Sequence, residues 1–382
     1  MKKLISSFMK APQPRPELQS QVINFLRFPL IICLVFFHSS SLGIQIGDMI
    51  FEINPKDMPV NYYSMLIFSG PLAFRNHFFF FVSGFLFFSS IKQLDLSIYK
   101  NKIRNRVNSM LVPYLFWNLT AFAVYFTLQN IPQLNAFTNK DIQLQNFFSY
   151  FWNNFGEMRA EHFVDFGSKN YPIASQFWFI RDLMIAALIS PAIYFFCKYT
   201  KIYGVLLIGI LWYFGWWLNI TGFASMCIFF FTAGAYFGIN KRNLIEDFGK
   251  VRNLSFVLYP AISIVYCLLS REFVYRVYVH HALIVIGIVF AFNFVAYLFE
   301  KEIVKSVPKF LASATFFVFA SHELLIKFFR KVAHMIILPE NDLEFTALFF
   351  LSAIMVIFCA LGIYYISRLI LPKFTRIITG GR

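Results

Sequence analysis

Charge is scarce in this chain: Asp, Glu, Lys and Arg together make up 14% of its 382 residues. Acidic residues are the scarcer sign, with 19 of them against 34 Lys and Arg, so the formal net charge is +15. Cysteine is also rare, and the five cysteines stand singly in apolar stretches without the paired spacing of metal-binding motifs. We therefore interpret the cysteines as small buried hydrophobic side chains and expect no metal site.

Apolar residues are abundant instead: they make up 58% of the chain, which contains 53 phenylalanines. A transmembrane helix needs about 20 predominantly apolar residues to cross a hydrocarbon core of about 30 Å. Stretches of this kind recur along the whole length, and they must be helical because the bilayer offers backbone groups no partner. The sequence therefore predicts an all-α, polytopic transmembrane helical bundle of about ten spans. The stretches lie near 22–43, 74–91, 110–129, 177–197, 203–218, 222–239, 254–270, 280–299, 310–329 and 346–370.

The excess of Lys and Arg raises the question of a nucleic-acid partner, but the positions of these residues argue against one. With the N-terminus in the cytoplasm, most of the 34 Lys and Arg residues fall in loops on the cytoplasmic side. Such a bias is the positive-inside rule, which sets membrane orientation. It predicts an even number of spans with both termini cytoplasmic. We therefore expect the lipid bilayer, and no nucleic acid, as a partner.

The chain divides into one membrane domain with two short tails. Residues 1–21 are polar and lack a cleavage site after a short apolar region, so we expect a cytoplasmic N-terminal tail without a removable signal peptide. Residues 22–370 form the transmembrane domain, and residues 371–382 a cytoplasmic C-terminal tail. The longer segments 44–73 and 130–176 would face outward. The second of them would form an interfacial helix or part of an acceptor-binding surface.

The first span carries two ionisable side chains, Arg27 and His38, eleven residues apart. At 100° per residue they return to within about 20° of the same helix face, with a rise of roughly 16 Å between them. Ionisable residues inside a membrane span are costly, so they indicate function by default. The structural alternative is an arginine that reaches the head groups and a core histidine with a satisfied hydrogen bond.

Other polar side chains interrupt later spans, at depths that the topology assigns to the outer half or the middle of the membrane. They are Arg75, His77, Arg181, Asp182, His322 and Glu323. Each also has a structural explanation: the adjacent arginine and aspartate neutralise each other, the histidine–glutamate pair bonds between helices, and the first two anchor a helix at the interface. The basic run Lys100–Arg106 is by itself an ordinary cytoplasmic charge cluster. Two separate polar layers, however, favour an enzyme that binds an anionic donor from inside and carries out acid–base chemistry further out.

Several motifs, taken in order, resemble those of acyltransferase family three, the integral-membrane O-acyltransferases of bacterial glycans. Arg27-x10-His38 in the first span resembles the element that defines the family. The resemblance covers nearly the whole chain and continues in the second, third, fourth and ninth spans. The matching stretches are Phe78–Leu86 around Ser83-Gly84, Ser109–Trp117, Phe177–Leu183 and Ala320–His322.

This resemblance implies an enzyme that moves an acyl group, with acetyl expected, from cytoplasmic acyl-CoA to a hydroxyl of a cell-surface or lipid-linked glycan. The expected location is the inner (plasma) membrane of a bacterium, and the acceptor stays open among exopolysaccharide, capsule, lipopolysaccharide, peptidoglycan and glycolipid. His38 and Arg27 would be the catalytic pair. His38 would act as general base, and an acyl-histidine intermediate stays open. Arg27, Arg104 and Arg106 would bind the acetyl-CoA phosphates, since a guanidinium pairs with phosphate oxygens.

The remaining polar side chains, with Ser83, are candidates to contact the acceptor or to orient the histidines. Depth alone suggests that Asp182 or Glu323 orients one of the histidines. The alternative for Ser83 is plain helix packing. One departure from the family is Arg104-Asn-Arg106, which stands where the family often has Arg-x-x-Arg.

The main alternative is a secondary transporter or flippase for a glycan or a small anionic solute, which also has many spans and charges inside the membrane. Such proteins often show repeated halves and matching broken helices, and neither is evident in this sequence. A structural or binding protein of the membrane is a third alternative. It leaves the two polar layers without a purpose.

Overall fold

The computed structural model describes residues 17–40, 44–46, 49–51, 57–132, 134, 142–153, 171–218 and 220–381. Regular structure in these residues is almost entirely helical. The exception is an antiparallel hairpin of β1 (Ile44–Ile46) and β2 (Met49–Phe51), with Ile44 opposite Phe51. The helices are α1 Leu18–His38, α2 Pro59–Ser69, α3 Phe74–Ser89, α4 Leu96–Arg106, α5 Val112–Asn130, α6 Trp178–Leu188, α7 Ser190–Tyr213, α8 Ser225–Ile239, α9 Leu244–Gly249, α10 Arg252–Leu268, α11 Arg276–Glu300, α12 Lys309–Ile336, α13 Asp342–Ile370 and α14 Pro372–Ile378.

Seven helical segments of the described chain are long and apolar enough to cross a membrane, which confirms the predicted polytopic helical bundle. Helices α8 and α10 are apolar but shorter. Helix α7 is broken at Lys201, where φ is 54° and ψ is −136°. Each of the ten predicted stretches contains helix, but seven segments qualify as candidate spans: 177–197 is divided between α6 and α7, and the segments at α8, α10 and the second half of α7 fall short of about 20 residues. The orientation of the termini stays a prediction.

The segments 44–73 and 130–176, which are predicted to face outward, contain regular structure. In segment 44–73, the hairpin is followed by α2, whose first backbone N–H groups donate to the carboxylate of Asp342. The Val60 and Asn61 nitrogens lie 2.7 and 2.8 Å from its oxygens. A carboxylate at a helix N-terminus is favourable, so this contact ties α2 to the start of α13. In segment 130–176, the described residues 142–153 contain short 3₁₀ turns, not an interfacial α-helix.

The C-terminal end of the chain is helical and packs on the bundle. The C-terminal segment 371–382 contains α14, whose Thr375 and Ile378 are buried. The indole Nε1 of Trp117 donates to the Ile378 carbonyl at 3.1 Å and docks α14 on α5. Residues 1–16 of the predicted N-terminal tail lie outside the described residues, and α1 already begins at Leu18.

Helices α3 and α8 cross with their backbones in direct contact. A Cβ atom at Gly84 would lie 2.0 Å from the carbonyl oxygen of Phe231, and one at Gly234 would lie 1.8 Å from that of Phe81. Small residues at a crossing allow such an approach inside a membrane, where association depends on close packing. Helix α12 forms the other centre of the bundle and packs along both α1 and α13.

We expect Gly234→Ala to destabilise the protein, because the added methyl group would overlap the Phe81 carbonyl and force α3 and α8 apart. Overpacking of this kind costs about 1–3 kcal/mol. Thermal unfolding of the detergent-solubilised protein should therefore show a lower Tm. Gly362→Ala is the matched control, since a Cβ at position 362 meets nothing within 4 Å. An equal Tm for the two variants would contradict the close crossing.

Candidate active site

The centre of the site is a pair of histidines from two different helices. His38 is the last residue of α1, and His322 lies in the middle of α12. Their ring centroids are 5.2 Å apart, with an angle of 48° between the ring planes. His38 is half-buried and His322 is completely buried. The structure thus brings together two predicted site residues whose relation the sequence left open.

The protonation of the His322 ring follows from its backbone contact. Its Nδ1 lies 2.6 Å from the carbonyl oxygen of Phe319. Because a carbonyl oxygen can only accept, Nδ1 carries the hydrogen, and Nε2 of the neutral ring holds the lone pair. This Nε2 is buried and has no hydrogen-bond partner among the described residues. The Nε2 of His322 is therefore a buried acceptor without a described donor, as are those of His77 and His280.

Glu323, the neighbour of His322, holds a turn that the sequence did not assign to the site. Its carboxylate accepts hydrogen bonds from the Ser175 hydroxyl and, at 3.0 Å, from the Gln176 backbone N–H. The Gln176 side chain in turn donates to the Ala320 carbonyl at 2.7 Å. The ammonium of Lys327 lies 3.5 Å from the same carboxylate. Glu323 thus fixes the entry into α6 against the helix that carries His322.

Two basic side chains further along α12 connect it to neighbouring helices. Lys327 donates to the Tyr125 hydroxyl of α5 at 3.1 Å. Arg330 donates to the backbone carbonyl of Ser40, two residues beyond His38. These contacts hold the end of α1 beside α12.

Arg27 lies on α1, nearly three turns before His38 and with Pro29 between them. The guanidinium is half-buried. No hydrogen bond or ion pair joins it to the part of the chain that the structure describes. An arginine inside a span normally pairs with another group, so Arg27 is suited to receive a ligand.

Arg75 and His77 lie on α3, and Arg75 contacts Phe37, the neighbour of His38, near the end of α1. Arg75 is buried, donates to the Phe68 and Leu72 carbonyls at 2.7 and 3.0 Å, and lies 4.2 Å from the ring centroid of Phe37. His77 packs against the Phe230 ring at 4.9 Å. Both side chains are buried inside the bundle.

A second histidine region that the sequence analysis missed lies beside His77. Trp212 packs against both His77 and His281, with centroid distances of 6.0 and 4.4 Å. His280 and His281 follow each other in α11, and their ring centroids are 6.4 Å apart. The adjacent histidines in an apolar stretch were the available signal.

The structural explanation fits the contacts of Arg181 and Asp182. Both are buried, and a guanidinium nitrogen lies 3.0 Å from the carboxylate. Arg181 also donates to the Trp152 carbonyl at 2.7 Å and lies 5.3 Å from the centre of that ring. Similarly, Gly84 serves the crossing of α3 and α8, and the adjacent Ser83 is half-buried. None of these contacts joins the two histidines.

Arg104 and Arg106 lie on different sides of α4, because two helical steps separate them by about 200°. Arg106 lies 5.7 Å from the ring centroid of Phe87. Lys102, one turn earlier, lies 5.6 Å from the same ring and donates to the Ser90 hydroxyl at 2.8 Å. Arg104 is exposed. Arg106 and Lys102 therefore lie against the same ring, and Arg104 lies on another side of α4.

The described residues contain no group of three His, Cys, Asp or Glu side chains that could hold a metal ion.

Comparison with known families gives a match to the acyltransferase domain of acyltransferase family 3 over residues 21–365. The chain belongs to this family, and the protein is a multi-pass membrane acyltransferase. An enzyme is thereby favoured over a transporter or flippase. No curated protein and no solved structure matches the chain.

We expect Glu323→Ala to lower the Tm of the detergent-solubilised protein, because it leaves the Gln176 N–H and the Ser175 hydroxyl without their acceptor. An unsatisfied buried donor costs about 1–3 kcal/mol. Glu272→Ala is the control, since Glu272 is exposed in the turn before α11 and its removal should leave the Tm unchanged. A Tm equal to that of wild type for Glu323→Ala would show that the carboxylate does not hold the turn.

Proposed function

We propose that the protein transfers an acyl group, acetyl by preference, from cytoplasmic acyl-CoA to a hydroxyl of a cell-surface or lipid-linked glycan in a bacterial inner membrane. The observation that carries the proposal is the arrangement of α1 in a member of this family. The helix ends in a half-buried histidine that faces a second histidine. The guanidinium of Arg27 lies on the same helix and is not neutralised by any described side chain.

His38 supplies the base that the reaction needs. A sugar hydroxyl is a weak nucleophile near neutral pH, and a histidine can take its proton as the oxygen attacks the thioester carbonyl. The tetrahedral intermediate then collapses, the C–S bond breaks, and the coenzyme A thiolate receives the proton from His38. The products are the glycan ester and free coenzyme A, so the reaction releases no net proton. Partial exposure of His38 is consistent with access by an acceptor.

Arg27 supplies the donor end. Coenzyme A carries three phosphates at some distance from its thioester, and the planar guanidinium fork matches phosphate oxygens. The helical rise of roughly 16 Å between Arg27 and His38 likewise separates a phosphate bound at Arg27 from a thioester that reacts at His38. Arg104 and Arg106 on α4 supply further positive charge for the donor phosphates, and Lys102 lies against the same Phe87 ring as Arg106. In this arrangement the phosphates contact the arginines and the thioester reaches His38.

We expect His38→Ala to reduce acyl transfer by about 100-fold or more, since a general base typically contributes 10²–10⁴-fold. Membranes or purified protein would receive radiolabelled acetyl-CoA, and label would be followed into glycan. Label that stays on the wild-type protein without acceptor would identify an acyl-enzyme. Undiminished transfer by a correctly inserted His38→Ala protein would contradict the assignment.

We expect Arg27→Ala to raise the KM for acetyl-CoA by about tenfold or more, because a hydrogen bond to a charged group is worth about 1.5–3 kcal/mol. Arg104→Ala and Arg106→Ala should raise it as well, whereas Lys305→Ala, at an exposed position between α11 and α12, is the control. All four variants remove one positive charge, so a general effect of charge would appear in each. Wild-type saturation by acetyl-CoA in the Arg27 variant would refute the donor role.

A further inference from the structure

We propose that Arg75 is a positioning residue that holds the imidazole of His38 through the ring of Phe37, which rests on the proposed function of His38 as the base. The guanidinium of Arg75, on α3, packs on the face of the Phe37 ring, on α1. That ring in turn packs against the imidazole of the next residue, His38. In this arrangement Arg75 acts on the base and does not contact the substrate.

The first contact is a close cation–π pair. The guanidinium carbon of Arg75 lies 4.2 Å from the centroid of the Phe37 ring, closer than in any other such pair among the described residues. Arg75 is only 3% exposed, and a cation–π contact is stronger when water is excluded from it. The charge of Arg75 therefore favours one position of the Phe37 ring.

The guanidinium itself is fixed by the break between α2 and α3. These helices belong to one apolar segment, Pro59–Ser89, which is interrupted at the 3₁₀ turn Pro71–Ala73. A break leaves backbone carbonyls that need donors inside the membrane. Nη1 of Arg75 donates to two of them, those of Phe68 and Leu72, at 2.7 and 3.0 Å. Two hydrogen bonds thus set the position of the guanidinium on α3.

His38 needs such support because it is the last residue of α1 and is half-buried. The centroids of the Phe37 and His38 rings are 4.9 Å apart, with an angle of 77° between the ring planes, so the rings meet edge to face. Arg330 holds the backbone just beyond, at the Ser40 carbonyl, whereas Phe37 contacts the imidazole itself. A misplacement of about 1 Å can slow a catalytic step by about 100-fold. A Phe37 ring held by Arg75 therefore limits the positions that the imidazole can take.

A purely structural role for Arg75, as donor to the break, makes a different prediction. In that role a neutral donor would serve as well, and the side chain of Phe37 would matter only as apolar volume. The positioning role requires both the charge at residue 75 and the aromatic face at residue 37. Substitutions that separate these properties therefore decide between the two roles.

Kinetics of purified variants with radiolabelled acetyl-CoA, and with the envelope glycan of the source organism as acceptor, test the positioning role. Arg75→Gln keeps an amide donor for the carbonyls but removes the charge. It should lower kcat by about tenfold, within the range for a misplaced catalytic group, and leave the KM for acetyl-CoA unchanged. Arg75→Lys should recover part of the loss. Phe37→Leu should lower kcat by a similar factor, whereas Phe37→Tyr, which keeps the aromatic face, should retain it.

Double variants show whether these residues act together and through His38. The combination of Arg75→Gln with Phe37→Leu should be no slower than the slower single variant, because residues that act as a unit are not additive. In the His38→Ala background, Phe37→Leu should cause no further decrease in the residual transfer.

Arg271→Gln is the matched control for the loss of a guanidinium from an aromatic ring. The guanidinium carbon of Arg271 lies 4.5 Å from the centroid of the Tyr62 ring, and neither residue belongs to α1. This variant should keep the wild-type kcat. Only variants with a wild-type elution profile in detergent would be compared, and the Phe37 variants carry the test if Arg75→Gln fails to fold.

The outcomes separate the positioning role from the proposed function. Wild-type kcat in a folded Phe37→Leu protein would overturn the positioning role and leave the base assignment intact. Equal losses in Phe37→Leu and Phe37→Tyr would also overturn it, as would losses that multiply in the double variant or an equal loss in Arg271→Gln. Undiminished transfer by His38→Ala would instead overturn the proposed function.

Discussion

Hydrocarbon supplies no hydrogen bonds, so each polar group inside this bundle has to find its partner within the protein or in a ligand. Most of the buried charges described here obey that constraint. Arg181 pairs with Asp182, Arg252 pairs with Glu300 at 3.0 Å, and Glu323 accepts from two groups of one turn. Among the described residues, the guanidinium of Arg27 has no partner, and Nε2 of His322 is one of several buried polar atoms without a hydrogen bond. Both lie on the two helices that build the candidate active site.

Helix α12 organises that site through side chains on successive turns. One turn orients His322 on the Phe319 carbonyl, and the neighbouring Glu323 fixes the entry into α6. Two turns later, Arg330 holds the chain beyond α1. These contacts hold the end of α1 beside α12 on the side of the two histidines. The glycine crossing of α3 and α8 lies elsewhere and supplies packing.

Much of the fold could be predicted from the sequence, because inside a membrane each apolar stretch must satisfy its own backbone hydrogen bonds. An apolar stretch must become a helix wherever it lies, and each of the ten predicted stretches contains helix. The division of Arg104 from Arg106 was also readable, since it follows from 100° per residue. The α-helical C-terminal end was not predicted, because the docking of α14 depends on Trp117 of a distant helix.

The sequence by itself determined the membrane bundle, the family, and the shared face of Arg27 and His38, since each depends on composition or on spacing within one helix. Only the tertiary structure decided which polar groups meet. It placed His322 beside His38, took His77 to a separate region, and set Ser175 on Glu323. These pairings join residues far apart in the chain. Their geometry depends on how whole helices dock, which no local pattern encodes.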